Sequence, residues 1–425
     1  MFEQTRFEDH ARIPENQMPP KTAYILLWFP EPSETFIFRE VMNLWNMEFP
    51  LKVFTLYGEK TDNLSPEMAS VSNRMERLGI PFIKSGAKDV FYWWKRNPKL
   101  TSELLRTVPV RRWNGLEKGG ENLWAFFCGF RLARRFEEER IEHIHAPWAN
   151  GPATAAWIAS RLTGIPFSFT ARAWDIYPPD GALKEKIRDA AFIRSETRAN
   201  IVYLSEYAGM GDEKMYLTYN GVPLKPRQEA PVSLRPPYKL LALGRFVGKK
   251  GYDFLLEACN ILKSSGIDFH LTLAGGGPRM GQLKYLTWKL GLVGHVSFPG
   301  FVPYERVSEL FSASDIFVMP SIIHKSGDRD GIPTVIMEAL MHRVPVIATD
   351  ISGIGELIEN RVTGLLIPEK NAQAIADSIR EFVGDRESAL RMAEQGRDKV
   401  LRQFNPEVNH KKVVDLYQNL ISKSS

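Results

Sequence analysis

The sequence predicts an α/β protein with two Rossmann-like, doubly wound domains that face a central cleft. Short apolar segments alternate with amphipathic helical segments along most of the chain, which is typical of parallel sheets joined by crossover helices. The 425 residues exceed what a single hydrophobic core usually holds. A proline-rich stretch near the middle of the chain favours a boundary between two halves.

The predicted strands are short apolar segments that end at a turn or a polar loop. The first, AYILLWF, ends at Pro30, and Phe36, Ile37, Val41 and Leu44 follow it at helical spacing. The same pattern recurs further along the chain. The predicted strands are residues 23–29, 141–146, 166–171, 239–244, 270–277, 295–300, 315–320 and 344–349. Ligands of such a fold bind at the carboxyl ends of the strands.

The domain limits follow from a predicted linker. Five prolines between residues 223 and 237 resist both helix and central strand. This linker separates an N-terminal domain, residues 21–222, from a C-terminal domain, residues 238–404. Residues 1–20 are predicted to be a mobile tail. An amphipathic helix, residues 405–425, is predicted to complete the N-terminal domain.

Composition excludes several classes of protein. A hydrophobic fraction of 44% with 25% charged residues is not that of a disordered or fibrous chain. Cys128 and Cys259 provide neither a disulfide framework nor a zinc cluster, which is typical of a reducing compartment. Glu3, Glu8 and Asp9 stand where a signal peptide needs basic and then apolar residues, and no window of about 18 apolar residues occurs. We therefore expect a cytoplasmic protein whose membrane contact is at most peripheral.

The segment DRDGIPTVIMEAL, residues 328–340, carries two acids eight positions apart. A helix is predicted to begin near Pro333, because proline suits a first helical position. Asp330 and Glu338 then lie on the order of 12 Å apart along the helix axis, at 1.5 Å per residue. That length matches a sugar-diphosphate-ribose, with helix N–H groups facing the phosphates. Alternatively, Asp330 is a helix cap and Glu338 a solvated surface acid.

Loops after other predicted strands supply cations and glycines. In GRFVGKKG, Arg245 and Lys250 follow the strand that ends at Gly244, where two cations can hold a diphosphate. An ordinary solvated loop has the same composition. The segments around Gly276 (AGGGP) and Gly300 (FPGFVP) allow close backbone approach to a ligand, or simply form tight turns.

In their joint order, these segments resemble the retaining glycosyltransferases of family 4, which have the GT-B fold. The resemblance spans roughly residues 22–400 and is strongest in the C-terminal half. It implies that Arg245 and Lys250 neutralise the diphosphate, that Asp330 faces the donor sugar and that Glu338 binds the ribose. The implied donor-binding residues are Gly244, Arg245, Lys250, Gly276, Gly300, Asp330, Gly331, Ile332, Pro333, Thr334 and Glu338. Two departures are Asp330, where the family usually has Glu, and residues 352–356, where SGIGE replaces the usual GG-I-P-E.

The N-terminal half resembles the exopolysaccharide, colanic-acid-type branch through FPEPSETFIFRE, HIHAPWA and SFTARAWDIY. Ser33 is expected to cap the first helix, with Glu34 bordering the acceptor pocket or pairing with the helix dipole. His145 is expected to contact either the acceptor or a core partner. Asp175 is expected either to cap a loop or to contact the acceptor. Arg172 stands where many relatives have His; a guanidinium cannot act as a base but can stabilise a phosphate or carboxylate. His145, Arg172, Arg245, Lys250 and Asp330 are the candidate catalytic residues.

The resemblance implies transfer of a sugar from a UDP- or GDP-linked donor to a glycan or lipid-linked glycan in polysaccharide biosynthesis. Transfer retains the anomeric configuration, needs no metal or other obligatory cofactor, and is aided by domain closure. Two alternatives remain open at this point. One is a nucleotide-sugar epimerase on the same fold, and the other is a catalytically silent nucleotide-sugar-binding protein.

Positive charge is concentrated in residues 84–118. Nine cations face three acids there and are interleaved with five large aromatic residues. The cations are residues 84, 88, 95, 96, 99, 106, 111, 112 and 118; the acids are residues 89, 103 and 117; the aromatics are Phe91, Tyr92, Trp93, Trp94 and Trp113. This composition predicts contact with an anionic membrane surface, on the inner face of the membrane, or else an insertion that packs its aromatics inward. No nucleic-acid-binding motif is present, so nucleic acid is not a predicted partner.

Overall fold

The computed structural model describes residues 19–32, 34–59, 64–79, 83–109, 111, 116–222 and 234–421. The described chain forms two compact units. The first comprises residues 1–196, 201–218 and 407–425, and the second comprises residues 197–200 and 219–406. Most of the predicted tail and linker lies outside the described residues, as do Ser33, Arg112 and Trp113.

The first unit is a seven-stranded parallel sheet with helices between its strands. The strand order is β3-β2-β1-β4-β5-β6-β7. Its elements, in chain order, are β1 (Thr22–Leu26), α1 (Thr35–Asn46), β2 (Leu51–Thr55), α2 (Pro66–Ser70), β3 (Met75–Arg77), α3 (Ile83–Arg96), α4 (Pro98–Thr107), α5 (Leu116–Glu138), β4 (His143–Ala146), α6 (Gly151–Thr163), β5 (Phe167–Ala171), α7 (Leu183–Asp189), β6 (Phe192–Ser195), α8 (Arg198–Ala208) and β7 (Met215–Leu217).

The second unit is a six-stranded parallel sheet of the same kind. Its strand order is β10-β9-β8-β11-β12-β13. The elements are β8 (Tyr238–Leu243), a 3₁₀ turn (Gly248–Lys250), α9 (Tyr252–Ser264), β9 (Phe269–Ala274), α10 (Met280–Lys289), β10 (Val296–Gly300), α11 (Tyr304–Ser312), β11 (Ile316–Met319), α12 (Thr334–Met341), β12 (Val346–Thr349), α13 (Ile354–Leu357), β13 (Leu365–Ile367), α14 (Ala372–Gly384) and α15 (Arg386–Gln403). The last helix, α16 (Pro406–Ile421), returns to the first unit.

The predicted α/β class with parallel sheets is confirmed, and each of the eight predicted segments contains a strand. Five further strands, β2, β3, β6, β7 and β13, were not predicted. Four of them have only three or four residues, as in MER and MYL, so they lack the continuous apolar segment that marks a buried strand. Their neighbours in the sheet provide the pairing that their own sequences do not specify.

Helix α16 packs on the first unit through Tyr417, which is almost fully buried. Its ring lies 5.2 Å from that of Phe49, 5.4 Å from Phe192 and 5.6 Å from His143, with the planes near perpendicular. Burial of an aromatic side chain contributes about 2 to 3 kcal/mol. No helix in the described ranges is long and apolar enough to cross a bilayer.

Candidate active site

In the second sheet the strand order reverses between β8 and β11, which is a topological switch point. After β8 the chain adds β9 and β10 on one side, and it then crosses to add β11, β12 and β13 on the other. The loops that follow β8 and β11, residues 244–251 and 320–333, therefore leave the carboxyl ends of two paired strands. Such a switch point is where open α/β sheets bind ligands.

Lys250 and Asp330 meet across this switch point. The Lys250 ammonium donates to the Asp330 carboxylate at 2.8 Å, and the Ser321 hydroxyl donates to the same oxygen at 2.7 Å. Both charged residues are only 9% exposed. Burial raises the pKa of Asp330, but the charges of Lys250 and Lys249 outweigh it and lower the pKa from 3.8 to about 2. The carboxylate is therefore charged at neutral pH and holds the lysines in place.

Lys249 is a second buried lysine of the site, and the sequence reading missed it. Its ammonium donates to Asp328 at 3.0 Å and lies 3.5 Å from the other oxygen of Asp330. The 3₁₀ turn, which continues into Gly251 at φ 63°, turns both lysines inward. A Cβ at Gly251 would lie 1.9 Å from the Pro320 carbonyl oxygen, so only glycine fits. The signal available in the sequence was the presence of two adjacent lysines, Lys249 and Lys250, in one loop and of two acids, Asp328 and Asp330, in the other.

Arg245 is the exposed cation of the same loop. It makes no ion pair with any residue in the described part of the chain. Nearby, the buried Tyr252 hydroxyl has no hydrogen-bond partner among the described residues and would lie 2.9 Å from a Cβ at Gly244. A buried hydroxyl without a partner is uncommon, and this one is open to a bound group or to a water molecule. Sequence reasoning missed Tyr252, because its position after KKG resembles an ordinary helix start.

The glycine-containing loops that follow β8, β9 and β10 are joined by backbone hydrogen bonds. The Gly244 N–H donates to Ala274 at 3.0 Å, the Phe246 N–H to Gly276 at 2.7 Å and the Gly275 N–H to Gly300 at 2.8 Å. A Cβ at Gly275 would lie 2.0 Å from the Gly244 carbonyl oxygen. Close packing between the loops therefore accounts for Gly275. Gly276 and Gly300 have open space where a Cβ would be.

Helix α12 begins at Thr334, directly after Pro333, and has no side-chain cap. The Ile336 N–H donates to the Pro333 carbonyl at 3.0 Å, so the Thr334 and Val335 N–H groups are the ones left to an anion at this helix start. Gly331 and Ile332, in the turn before it, are half-buried. Glu338 lies one turn into the helix, is also half-buried, and shares the short helix with buried Ile336, Met337, Ala339 and Leu340.

Glu356 of the SGIGE segment has a structural partner inside the second unit. Its carboxylate accepts the Arg198 and Ala199 N–H groups at 2.9 and 3.1 Å, and the Tyr219 hydroxyl at 2.9 Å. It therefore binds backbone N–H groups of residues 197–200, which belong to the second unit. Within the described ranges, no group of three or more His, Cys, Asp or Glu side chains is arranged to hold a metal ion.

His145 of the first unit lies in the core. It is fully buried, and its ring nitrogens pair with the Ser168 hydroxyl at 2.7 Å and the Thr170 hydroxyl at 3.0 Å. Burial lowers the pKa of His145 well below its usual value, so the ring is neutral. Of the two sequence interpretations, this geometry favours the core histidine.

Arg172 lies in a buried charge network at the carboxyl end of β5. Its guanidinium donates to the Pro147 carbonyl at 3.0 Å, forms an ion pair with Glu196, and lies 3.9 Å from Glu40. Arg194 binds the same Glu40 through two bonds of 2.9 and 2.8 Å. The Arg172 guanidinium also lies over the Phe36 ring at 4.5 Å. Arg172 is therefore held rigidly by opposite charges.

Glu34 and Asp175 make local contacts in the first unit. The Trp148 indole donates to Glu34 at 3.3 Å, which links the loops that follow β1 and β4 at the switch point of this sheet. Asp175 accepts the N–H groups of Ala149, Arg172 and Ala173 at 2.7 to 3.0 Å. These three backbone bonds favour the interpretation of Asp175 as a loop cap.

Comparison with known proteins agrees with this description of the fold. The family model described as glycosyl transferases group 1 matches residues 227–399, which include the Lys250 and Asp330 loops. An Escherichia coli (strain K12) protein, named as a colanic acid biosynthesis glycosyltransferase, is 33% identical over 422 residues. The match covers 94% of this chain and 100% of the relative.

Solved structures resemble the chain over nearly its whole length. Sucrose-phosphate synthase from Thermosynechococcus elongatus has a TM-score of 0.71 at 18% identity, covering 95% of this chain and 99% of that chain. The Anabaena HepE structure in complex with UDP and glucose has a TM-score of 0.67 at 15% identity, covering 93% and 99%. These likenesses establish the fold, which is the GT-B fold of two Rossmann-like domains.

We expect the Lys250–Asp330 pair to contribute to stability in a pH-dependent way. The pKa of Asp330 is lower in the folded chain than its usual value of 3.8, so the contribution is complete above about pH 4 and is lost as the pH falls towards 2. Its size is about 2 kcal/mol at 1.36 kcal/mol per pH unit. Urea unfolding of wild type and Asp330→Asn between pH 7 and pH 2.5 measures it.

At pH 7, Asp330→Asn leaves two buried lysines without their shared partner and is expected to lose roughly 3 kcal/mol. Adding Lys250→Met should recover part of this loss. Asp377→Asn, which removes an exposed acid paired with Arg380, is the matched control and should change little. A loss for Asp330→Asn no larger than for the control, at every pH, would contradict the assignment.

Proposed function

The chain belongs to the group 1 glycosyltransferases, and on that premise we propose that it transfers a sugar from a nucleoside diphosphate to a glycan or lipid-linked glycan with retention of configuration. The colanic acid relative supports a role in polysaccharide biosynthesis. The family does not favour the epimerase or the silent binding protein. The observation that carries the proposal is the buried Lys250–Asp330 pair, which joins the loop that carries Arg245 to the loop that leads into helix α12.

The diphosphate is proposed to bind between this cluster and the start of α12. An ammonium has three N–H donors, and Lys250 directs one towards Asp330, so two remain for phosphate oxygens. Arg245 has no competing ion pair within the described chain and offers a bidentate guanidinium. The N–H groups of Thr334 and Val335, at the start of α12, add the helix dipole. Three kinds of donor, an ammonium, a guanidinium and backbone N–H groups, are then proposed to bind one dianion.

Glu338 and the open glycines are proposed to bind the two ends of the donor. Glu338, about one turn along α12 from the phosphate-binding end, accepts the ribose hydroxyls. Gly276 and Gly300 leave room for the donor because no atom lies within 4 Å of where their Cβ would be. Asp330 acts mainly as a positioning residue for Lys250, since its oxygens already face Lys250, Lys249 and Ser321.

Transfer is proposed to be front-face and independent of a metal. The bond between the anomeric carbon and the diphosphate oxygen breaks, and the acceptor oxygen bonds to the same face of that carbon. The acceptor proton passes to the leaving diphosphate oxygen. Charge that develops on the diphosphate is stabilised by Lys250, Arg245 and the α12 N–H groups, which are already oriented. In this scheme Arg172 acts on the acceptor side through its fixed charge and not as a base.

A membrane-surface location is proposed for the acceptor side of the enzyme. The basic segment divides by its contacts: Arg96 is paired with Glu137 and Arg111 with Glu185. By contrast, the following four cations of α3 and α4 are exposed and form no ion pair with any described residue: Lys88, Lys95, Lys99 and Arg106. These free cations are the ones expected to meet anionic headgroups.

Removal of the Arg245 charge is expected to weaken donor binding selectively. In Arg245→Ala, the affinity for the cognate nucleoside diphosphate should fall by about 10- to 100-fold, as for loss of a charged hydrogen-bonding partner. Isothermal calorimetry with UDP and GDP measures the affinity and identifies the base. The control is Arg391→Ala, which removes an exposed arginine of α15. Equal affinity in the two variants would refute the proposed phosphate site.

The stereochemistry and the metal requirement are tested on the product. Proton NMR of a reaction with the cognate donor should give a product with the anomeric configuration of the donor sugar. Dialysis against EDTA should leave the rate unchanged. An inverted product, or a rate lost on chelation and restored by Mg²⁺ or Mn²⁺, would overturn the proposed mechanism without affecting the family assignment.

Neutralising the free cations should release the enzyme from anionic vesicles. Each basic residue near such a surface contributes about 1 kcal/mol, so Lys88→Gln, Lys95→Gln and Lys99→Gln together should weaken binding by roughly 100-fold. Co-sedimentation with vesicles that contain 30% phosphatidylglycerol measures this.

The control triple variant has the same net charge: Lys263→Gln, Lys370→Gln and Lys411→Gln. Its lysines lie on other elements. If both triple variants bind equally well, α3 and α4 are not the contact surface.

A further inference from the structure

Helices α3 and α5 enclose a cavity of about 750 Å³ in the first unit. A volume of this size is typical of sites for small ligands. The cavity belongs to neither switch point, since α3 and α5 are two of the three helices between β3 and β4. The described residues that line it are Gly86, Ala87, Val90, Phe91, Trp94, Gly120, Leu123, Trp124 and Phe127.

The walls of the cavity suit hydrocarbon and not sugar. Every described lining residue is glycine, aliphatic or aromatic. The Trp124 indole N–H, one of the few polar groups on these residues, already donates to the Leu56 carbonyl at 3.1 Å. A sugar or a nucleotide placed here would lose its hydrogen bonds to water without replacement.

The mouth of the cavity is apolar and open to solvent. Phe91 is 52% exposed, Trp94 is 47% exposed and Leu123 is 41% exposed. The Phe91 and Trp94 rings stack on each other with their centroids 6.3 Å apart. Contiguous exposed aromatic groups of this kind mark a surface that another apolar body covers.

Cations border this mouth on α3. The Lys95 ammonium lies 4.5 Å above the Phe91 ring, and Lys88 is exposed next to the lining residue Ala87. The acid of this helix, Asp89, is buried and lies 3.4 and 3.5 Å from Arg131 and Arg134, so it does not offset the two lysines. An apolar cavity with cations at its mouth complements an amphiphile that has a hydrocarbon chain and an anionic head.

We propose that the α3–α5 cavity holds one hydrocarbon chain of an anionic membrane lipid, with the phosphate of that lipid beside Lys88 and Lys95. The proposal deepens the membrane contact proposed above: α3 would extract or partly withdraw a chain from the bilayer, in addition to resting on its charged surface. It does not depend on the sugar donor, so it is tested without transfer activity.

The cavity-filling variant is Gly120→Leu. Gly120 lies within α5, and nothing occupies the space within 4 Å of a Cβ at this position, so a leucine enters the cavity without a backbone clash. Leucine also favours the helix over glycine. Gly281→Leu, at an equally open helical glycine of α10, is the matched control. A second variant, Leu123→Asn, makes the wall polar without filling it.

The probe is dodecyl phosphate below its micellar concentration, with hexyl phosphate for comparison, and binding is measured by calorimetry. We expect one dodecyl phosphate per chain, and at least tenfold weaker binding for hexyl phosphate because six methylenes are lost. Gly120→Leu and Leu123→Asn should each weaken dodecyl phosphate binding at least tenfold, whereas Gly281→Leu should bind like wild type. The double variant Lys88→Gln with Lys95→Gln should lose affinity by a similar factor for dodecyl phosphate and for hexyl phosphate.

The second part of the experiment measures binding of the protein to vesicles of 30% phosphatidylglycerol in phosphatidylcholine. Gly120→Leu should bind them at least fivefold more weakly than Gly281→Leu. If the wild type binds no dodecyl phosphate, the cavity is filled by another segment or by a protein partner, and the proposal is overturned. If Gly120→Leu binds probe and vesicles like its control, the cavity is not the lipid site, even where the lysine variants confirm the charged surface.

Discussion

The second unit depends on a buried carboxylate shared between two lysines. Asp330 holds Lys250 and Lys249, and it comes from the loop after β11 while they come from the loop after β8. Neither charge is stable without the other in this buried setting, so the pair fixes the distance between the two loops. Ser321 completes the contact, and Gly251 allows the turn. The lysine donors are therefore oriented before any ligand binds, which lowers the cost of organising the site.

The charges of this site are partly balanced by the chain itself. Lys249 and Lys250 face Asp328 and Asp330, whereas Arg245 has no acidic partner within the described ranges. The balanced pairs limit the repulsion that three neighbouring cations would otherwise produce. The remaining positive charge and the N-terminus of α12 then favour a dianionic group over a neutral one. A diphosphate, the group that we propose to bind here, satisfies that requirement.

The first unit uses buried charge in a different way. Glu40 binds Arg194 through two bonds, receives the Tyr24 hydroxyl at 2.7 Å and lies near Arg172, so its partners share one acid. His145 is bonded to hydroxyls and is neutral. Such a network holds shape and fixed charge. On the surface of the same unit, Arg96 and Arg111 are paired with acids, whereas the exposed Lys88 and Lys95 border the α3–α5 cavity.

The sequence alone determined the α/β class, the parallel sheets and the family, because these depend on local patterns: apolar segments at strand length, glycines after strands, and the order of GRFVGKKG and DGIPTVIMEAL. It also identified Lys250 and Asp330 as site candidates. It did not identify the contact of Lys249 with Asp330 or the position of the Tyr252 hydroxyl beside Gly244. It also did not identify the two hydroxyl groups that pair with His145. All of these depend on which strands and loops meet in the sheet. Packing between segments distant in the chain also creates the ring contacts of Tyr417 in α16 and the cavity between α3 and α5. Contacts of that kind leave no periodic signal, so only the tertiary structure decided them.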